Sequence, residues 1–345
     1  MKANKYLQIS ACISAFSAVA LVFCLALSRQ IPRLADFFNN NPCRALRGLL
    51  SRMCGTVPVF LPELFIALLP VTVLLIFVAS LKLSWRALLS GLVLASSLIT
   101  SIYTLTLGFA YRATPVSELM GIFRQGECSV GDVESALTYL TERILETAAD
   151  AGEYDFTLAN LEIRNSYSDF YESYPILDEY TPNPKEIFFS RVASRIGILG
   201  LYFPLTAEAG INVAQPKYAI PFSIAHELAH AKGVAREDEA NFLAFVICSE
   251  ARDSFVRYSG YLCAFEIVGS ALYKQDPSAY FDIARALPQR AISDLRAASQ
   301  LQQSADNSVS DALASLNDAH LESATGTGSE CYTQSLDLIV SYLLR

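Results

Sequence analysis

His226, Glu227 and His230 are the residues whose types and spacing are best suited to chemistry. They belong to the sequence HELAH, in which the two histidines stand four positions apart. On an α-helix, positions i and i+4 share one face, so both imidazoles can bind a single metal ion. Zinc suits imidazole nitrogen, with bond lengths of about 2.0–2.1 Å. The spacing therefore predicts that His226 and His230 are two ligands of a Zn²⁺ ion.

Glu227 directly follows the first histidine and lies about 100° away from it around a helix. From that position its carboxylate can miss the metal and still reach a water molecule bound to it. Zinc makes such a water acidic, and a neighbouring glutamate can take its proton. We therefore predict that Glu227 is the catalytic base of a zinc-dependent peptidase. The alternative is an amphipathic helix in which two of the chain's three histidines stand by coincidence.

A third ligand is expected soon after the motif, because a catalytic zinc site has three protein ligands and an open fourth position. Gly233 allows a sharp turn, so the next helix can return an acidic side chain to the metal. Glu237 is the predicted ligand, since Asn241 lies four residues later on the same face and can orient it. Glu239 is the alternative, and Asp238 is a further candidate. Glu237 and Glu239 lie about 200° apart around a helix, so both cannot easily face the metal.

Five other polar residues are weaker candidates. Tyr258 and Arg257 could stabilise the oxyanion of a tetrahedral intermediate, although core packing and a surface ion pair explain them equally well. Glu208 could bind a substrate or a cation, or simply close a turn. Glu63 lies within an apolar segment, where it either contacts the following domain or reaches the lipid headgroups. His320 lies in a polar segment and is not expected to be a ligand.

The elements that must position these residues follow an apolar N-terminal region. Three segments, at about residues 6–28, 57–81 and 87–110, are long enough to span a bilayer, which needs about 20 apolar residues. The first is longer than the apolar core of a cleavable signal peptide. Arg29 and Pro32 follow it directly. We therefore expect residues 1–111 to be a membrane anchor with three transmembrane helices.

Residues 112–345 are expected to form the catalytic domain, of the α+β, mostly α, class and zincin-like. Residues 192–213 are broken by glycines and a proline into short β-type runs, which predict a strand or hairpin. Ser223 and Gly233 are expected to cap the helix that holds the motif. Of 34 acidic residues 32 lie after Glu63, but only 17 of 26 basic ones lie after Arg86, and the resulting charge of about −15 disfavours nucleic acid as a partner. The eight cysteines form no CxxC pair, so a cysteine zinc site is not supported.

Several segments resemble the family of bacterial membrane proteins catalogued as domain of unknown function 3810. They are FLPELF at 60–65, FAYR at 109–112, GILGLYFPLTAEAGIN at 197–212, PFSIAHELAHAKGVAREDEANFLAF at 221–245 and RYSGYL at 257–262. The resemblance implies three N-terminal spans in the bacterial cytoplasmic membrane, an extracytoplasmic domain and a zinc peptidase without an assigned substrate. More distantly, EDEAN at 237–241 is similar to the E-x-x-A-D segment of gluzincin peptidases, with Asn241 in place of the aspartate. HELAHAKG is similar to the opening of the metzincin motif, but Arg236 stands where the third histidine would fall.

Two functions remain open at this point. The first is peptide hydrolysis at a Zn²⁺ site, on a peptide or protein substrate beside the lipid bilayer. The second is a non-catalytic membrane sensor or assembly factor that retains a zinc site. A structural zinc site would be closed by a fourth protein ligand, whereas no cysteine or third histidine stands near the motif. The five arginines of the first loop lean slightly towards a cytoplasmic domain by charge counting, whereas the family layout favours an external one.

Overall fold

The protein is mostly helical with one small β-sheet, as the sequence predicts. The computed structural model describes residues 2–81, 83–123, 128–304, 312, 315 and 331–345. The helices are α1 (Lys2–Leu27), α2 (Pro32–Phe38), α3 (Arg44–Gly55), α4 (Leu61–Ser80), α5 (Trp85–Tyr103), α6 (Val116–Leu119), α7 (Val130–Asp150), α8 (Phe156–Ser173), α9 (Ser190–Arg195), α10 (Ala219–Ala231), α11 (Glu237–Ser249), α12 (Ser254–Gln275), α13 (Pro277–Ala284), α14 (Gln289–Ser304) and α15 (Cys331–Leu343). The strands are β1 (Lys185–Glu186), β2 (Gly200–Phe203) and β3 (Glu208–Ile211).

Among the described residues, three helices are long and apolar enough to cross a membrane. They are α1, α4 and the helical stretch Trp85–Arg112 that begins with α5, so the three predicted segments are helical candidates for membrane spans, which is the pattern of a membrane protein. The helices α1 and α5 pack against each other. At their ends the Arg112 guanidinium donates to the carbonyl of Leu25. In contrast, α4 leaves nearly all of its side chains exposed, as a helix surrounded by lipid would.

The segment between the first two spans is helical and packs on the domain that follows. Its α3 helix carries Arg47, whose side chain is only 1% exposed. The Arg47 guanidinium donates to both carboxylate oxygens of Asp178, at 2.8 and 3.0 Å. Further along α3, the Ser51 hydroxyl donates to the carbonyl of Ala207 at 2.7 Å. A buried charge needs a partner, and this requirement fixes how α3 sits against the domain.

The domain core is built from helices around α12. Helix α12 packs on α7, α10, α11 and α15, and α11 packs on α10 and α15. Buried apolar side chains such as Leu137, Phe242 and Phe265 fill the space between them. The motif helix α10 is therefore held from several sides by packed helices.

The sheet lies against α10 and has the order β1–β3–β2. Strands β2 and β3 form an antiparallel hairpin, with Gly200 opposite Ile211 and Phe203 opposite Glu208. The predicted hairpin is thereby confirmed. Strand β1 pairs with β3 in parallel, so β2 forms one edge of this sheet and borders the motif helix.

Candidate functional site

Helix α10 places His226 and His230 side by side. It begins at Ala219 rather than at the predicted cap Ser223, because its first turn already contains the buried residues Ile220 and Pro221. The Nε2 atoms of the two imidazoles lie 3.1 Å apart, and the ring planes are nearly perpendicular. Two nitrogen lone pairs at this distance repel unless a proton or a cation lies between them. The pair is therefore suited to bind a cation.

The turn after α10 fixes the tautomer of His230. Gly233 has a φ of +93°, a backbone conformation that glycine adopts readily, and it ends the helix as the sequence predicts. The turn directs the Val234 carbonyl oxygen to within 2.8 Å of His230 Nδ1. Because a carbonyl can only accept a hydrogen bond, Nδ1 carries the proton. In the neutral ring, Nε2 then presents its lone pair to the cluster.

Glu237, the first residue of α11, brings a carboxylate to the two histidines. Its Oε2 atom lies 3.2 Å from His226 Nε2, and its Oε1 atom lies 3.6 Å from His230 Nε2. Burial acts to raise the pKa of Glu237, but His230 and His226 outweigh it and hold this pKa well below its usual range. Conversely, burial disfavours the charged form of His230, yet the carboxylates of Glu237 and Glu227 raise its pKa to about 9. The cluster thus combines two imidazoles with an ionised carboxylate.

Glu227 lies beside this cluster and beneath the edge strand β2. Its side chain is buried, and a Cβ atom added at Gly200 would lie only 2.5 Å from Glu227 Oε1. Burial raises the pKa of Glu227 above its usual value, and the two histidines and the backbone N–H of Tyr202 oppose this effect only in part. Among the described residues, the His, Cys, Asp and Glu side chains that could hold one ion are His226, His230 and Glu237. Glu227 is next to this set without belonging to it.

The other acidic residues at the start of α11 are directed elsewhere. Both carboxylate oxygens of Glu239 accept hydrogen bonds from Ser117, one from its backbone N–H at 2.8 Å and one from its hydroxyl at 2.7 Å. Asp238 forms an ion pair with Arg236 at 2.9 Å. The structure therefore brings Glu237 to the histidines and holds Glu239 against α6.

The predicted supporting residues are engaged outside the cluster. The Asn241 amide donates to the Ser335 hydroxyl at 3.4 Å. The Tyr258 hydroxyl donates to Asp294 at 2.7 Å. Two backbone carbonyls, those of Ala251 and Arg252, accept hydrogen bonds from the Arg257 guanidinium. Since the single proton of the Tyr258 hydroxyl is already donated, it is not free to stabilise an oxyanion in this arrangement.

The remaining candidates have structural contacts. Glu208 forms a buried ion pair with Lys185. Glu63 accepts hydrogen bonds from the backbone N–H groups of Phe188 and Phe189, so it contacts the domain. His320 lies outside the described residues.

The comparisons with known proteins identify a family. Residues 38–340 match the family described as protein of unknown function, DUF3810. The chain belongs to this family. No curated protein and no solved structure matches the chain. Because DUF3810 is a family of unknown function, membership does not indicate an activity, and only the site can indicate the function.

The sequence predicts that the segment around Gly197 to Phe203 is an edge strand able to pair with an extended peptide, but it does not predict that Gly200 and Tyr202 in this segment border Glu227 and His230. Gly200 leaves room for the Glu227 carboxylate, and the ring of Tyr202 lies 6.4 Å from that of His230. A signal did exist, because a glycine within a predicted strand often marks the close approach of another group. Nothing in the sequence, however, says which group approaches.

Proposed function

We propose that this protein is a membrane-anchored zinc-dependent peptidase with a zincin-like domain. The observation that carries the proposal is the convergence of His226, His230 and Glu237 beside Glu227. The donor set fits zinc, which accepts imidazole nitrogen and carboxylate oxygen. In a tetrahedral zinc site two imidazole nitrogens lie about 3.3 Å apart, close to the 3.1 Å between the two Nε2 atoms.

His226, His230 and Glu237 would bind the ion, and Glu227 would transfer the proton. When bound, zinc supplies Lewis acidity that polarises a peptide carbonyl and makes water easier to deprotonate. Glu227 would accept the proton of the attacking water on its carboxylate and later pass it to the leaving amine. The N–H of Tyr202 and the close backbone of Gly200 hold this carboxylate in place. Partial exposure of His226 and Glu237 supports an open fourth position, as a catalytic site requires.

The free edge of β2 is the proposed binding surface for the substrate backbone. The Asn212 N–H donates to the Leu199 carbonyl at 3.0 Å, next to the pair formed by Gly200 and Ile211. Because bonded and non-bonded pairs alternate in an antiparallel ladder, the backbone groups of Gly200 and Tyr202 point away from β3. Glu227 accepts from the Tyr202 N–H, so the Gly200 N–H and the two carbonyl groups are the ones proposed to pair with a peptide. An extended peptide can pair with such an edge through main-chain hydrogen bonds, and it would then cross the site next to Glu227.

We further infer that the domain lies outside the bacterial cytoplasmic membrane. Three spans with a cytoplasmic N-terminus would deliver the domain to the outer side, and the contact between Arg112 and Leu25 supports the odd number of crossings because it keeps the C-terminal ends of α1 and of the third span on one side. Reporter fusions after residue 130 test this orientation. Activity of a cytoplasm-only reporter there, without activity of an export-dependent one, would reverse it.

The decisive experiment replaces Glu227 by glutamine, which keeps the shape and removes the base. The purified full-length Glu227→Gln variant is expected to retain one zinc ion per chain and to lose peptide hydrolysis by about 10²–10⁴-fold. A His226→Ala/His230→Ala variant is the control that should lose the metal. Zinc is measured by mass spectrometry, and turnover is measured with a broad peptide library in detergent micelles.

Two outcomes would contradict the proposal. Equal turnover by the wild type and Glu227→Gln would assign the hydrolysis to contamination and favour the non-catalytic sensor. Stoichiometric zinc in the double histidine variant would remove the metal assignment itself.

A further inference from the structure

The small sheet is attached to the base of α4, the second membrane span, at its first turn. Both carboxylate oxygens of Glu63 accept backbone N–H groups of the domain, from Phe188 at 2.9 Å and from Phe189 at 2.8 Å. One turn of helix cannot place Glu63 far from the end of the span. The segment at 188–189 is therefore held at the height where α4 enters the bilayer.

Three more contacts join the strands themselves to this level. The Lys185 ammonium group, on β1, donates to the carbonyl of Val59, two residues before α4, at 2.9 Å. The ring of Phe60 lies against β3, where a Cβ atom added at Gly210 would be 2.6 Å from it. Phe65, in the second turn of α4, has its ring 6.4 Å from that of Phe203 on β2. Every strand of the sheet thus contacts the end of the span.

Residues 188 and 189 and one face of α9 are exposed at the height where α4 enters the bilayer. Phe188 is 85% exposed, Phe189 is 52% exposed and Val192 is 54% exposed. Arg191 and Arg195 are also exposed. Within α9, positions 191, 192 and 195 follow helical spacing, so the basic Arg191 and Arg195 share one face with Val192. Phe188 and Phe189 lie in the turn just before this helix. We call Phe188, Phe189, Arg191, Val192 and Arg195 the α9 patch.

We propose that the α9 patch lies in the headgroup region of the bilayer, and that it gives this peptidase a preference for juxtamembrane segments of membrane-bound polypeptides. The second half of this proposal rests on the proposed function. Two large aromatic side chains exposed to water are unfavourable, whereas the boundary between headgroups and acyl chains accepts apolar side chains flanked by basic ones. Glu63 and Phe65 already belong to a span, and the α9 patch lies beside that span. The bilayer is therefore the partner that the patch would contact.

The substrate class follows from a distance along β2. Phe203 contacts the span, and Gly200 contacts Glu227. Three residues of extended strand separate them, which is about 10 Å. A peptide paired with β2 therefore passes Glu227 within about 10–15 Å of the bilayer surface, a height that about five extended residues reach from their own membrane anchor.

The first test measures contact with lipid and does not depend on hydrolysis. Trp85 is the only tryptophan, so a Trp85→Phe background allows Phe188→Trp to be the single fluorophore in the full chain. In vesicles of phosphatidylcholine and phosphatidylglycerol, nitroxide-labelled lipids should quench its fluorescence. The control is Phe281→Trp in the same background, because Phe281 is 51% exposed on α13, which packs on α7 and α12. Equal quenching at the two positions, or none at Phe188→Trp, would overturn the membrane contact.

The second test varies the height of the substrate above the membrane. One cleavable peptide sequence, chosen from the library that the wild type hydrolyses, is attached to a lipid anchor through spacers of increasing length. The wild type should cleave the short-spacer substrate, with about five residues, fastest, and rates should fall as the spacer lengthens. A Phe188→Ser/Phe189→Ser variant should lose this preference for short spacers and still bind zinc, while Phe281→Ser should keep it.

The outcomes separate the two proposals. If the wild type cleaves free peptide and long-spacer substrates as fast as short-spacer ones, or faster, the substrate class is wrong and the peptidase stands. If it hydrolyses no peptide of the library while binding zinc, the proposed function fails and the substrate class fails with it. Quenching of Phe188→Trp still decides the membrane contact in that case.

Discussion

The ion pair between Arg47 and Asp178 gives a sharp prediction about stability. Asp178→Asn removes the negative charge while keeping the side-chain shape. Arg47 would then keep its charge with only neutral acceptors, the carbonyl groups of Asn39 and Thr106. Its side chain is 1% exposed and cannot turn towards water, whereas Arg44, the other partner of Asp178, is 34% exposed and can do so.

The magnitude follows from this burial. Removing one partner of a buried ion pair costs about 3–5 kcal/mol. For a domain of this size, 1 kcal/mol shifts the melting temperature by about 2–4 °C. At the lower end of that cost, Asp178→Asn should lower the melting temperature by about 10 °C.

The assay is thermal unfolding of the full-length protein in detergent, followed by circular dichroism. Asp169→Asn is the matched control, because Asp169 pairs with Arg252 at a similar distance, 2.9 Å, but the two side chains are 56% and 81% exposed. Exposed pairs contribute about 0–1 kcal/mol, so this control should change the melting temperature by at most about 4 °C. Equal shifts in the two variants would refute the claim that α3 is fastened to the domain by a buried charge pair.

Three further predictions concern the site and the core. Gly200→Ala should lower turnover while zinc content stays the same, because the new methyl group would displace the Glu227 carboxylate 2.5 Å away; unchanged kcat would contradict this. Glu237→Gln should weaken zinc affinity, measured by competition with a chelator, while Glu239→Gln should instead lower thermal stability through its lost bonds to α6. For Glu266, burial raises the pKa to about 7, so the folded state holds this proton more tightly than the unfolded one, and stability is lost as pH rises from about 4.5 to about 7. Glu266→Gln has no such proton, so its stability relative to wild type should improve by on the order of 2 kcal/mol between pH 5 and pH 8, and a pH-independent difference between the two proteins would argue against it.

Local patterns made several features predictable. The three spans follow from apolar length, the hairpin follows from short β-type runs, and the end of α10 follows from Gly233. The proximity of His226 and His230 follows from helical spacing alone. Each of these depends on residues that are close in the sequence.

Contacts between distant segments were not predictable in the same way. The sequence favours Glu237 as a ligand through Asn241, yet the Asn241 amide bonds Ser335, about ninety positions along the chain. The arginines of the first loop indicate only a membrane orientation by their charge, and Arg47 instead lies buried against Asp178. Which distant partner a charged side chain meets depends on tertiary packing, and no periodicity encodes it.

The pairing of Arg47 with Asp178 also sets an order of events during synthesis. The two residues are 131 positions apart, and ribosomes add about 5–20 residues per second. Asp178 is therefore translated about 7–26 s after Arg47, when α4 and α5 have already been translated. Helix α3 can reach its final position only once all of α8 and the segment up to Asp178 exist. The anchor is thus made before the domain, but it is completed together with the domain.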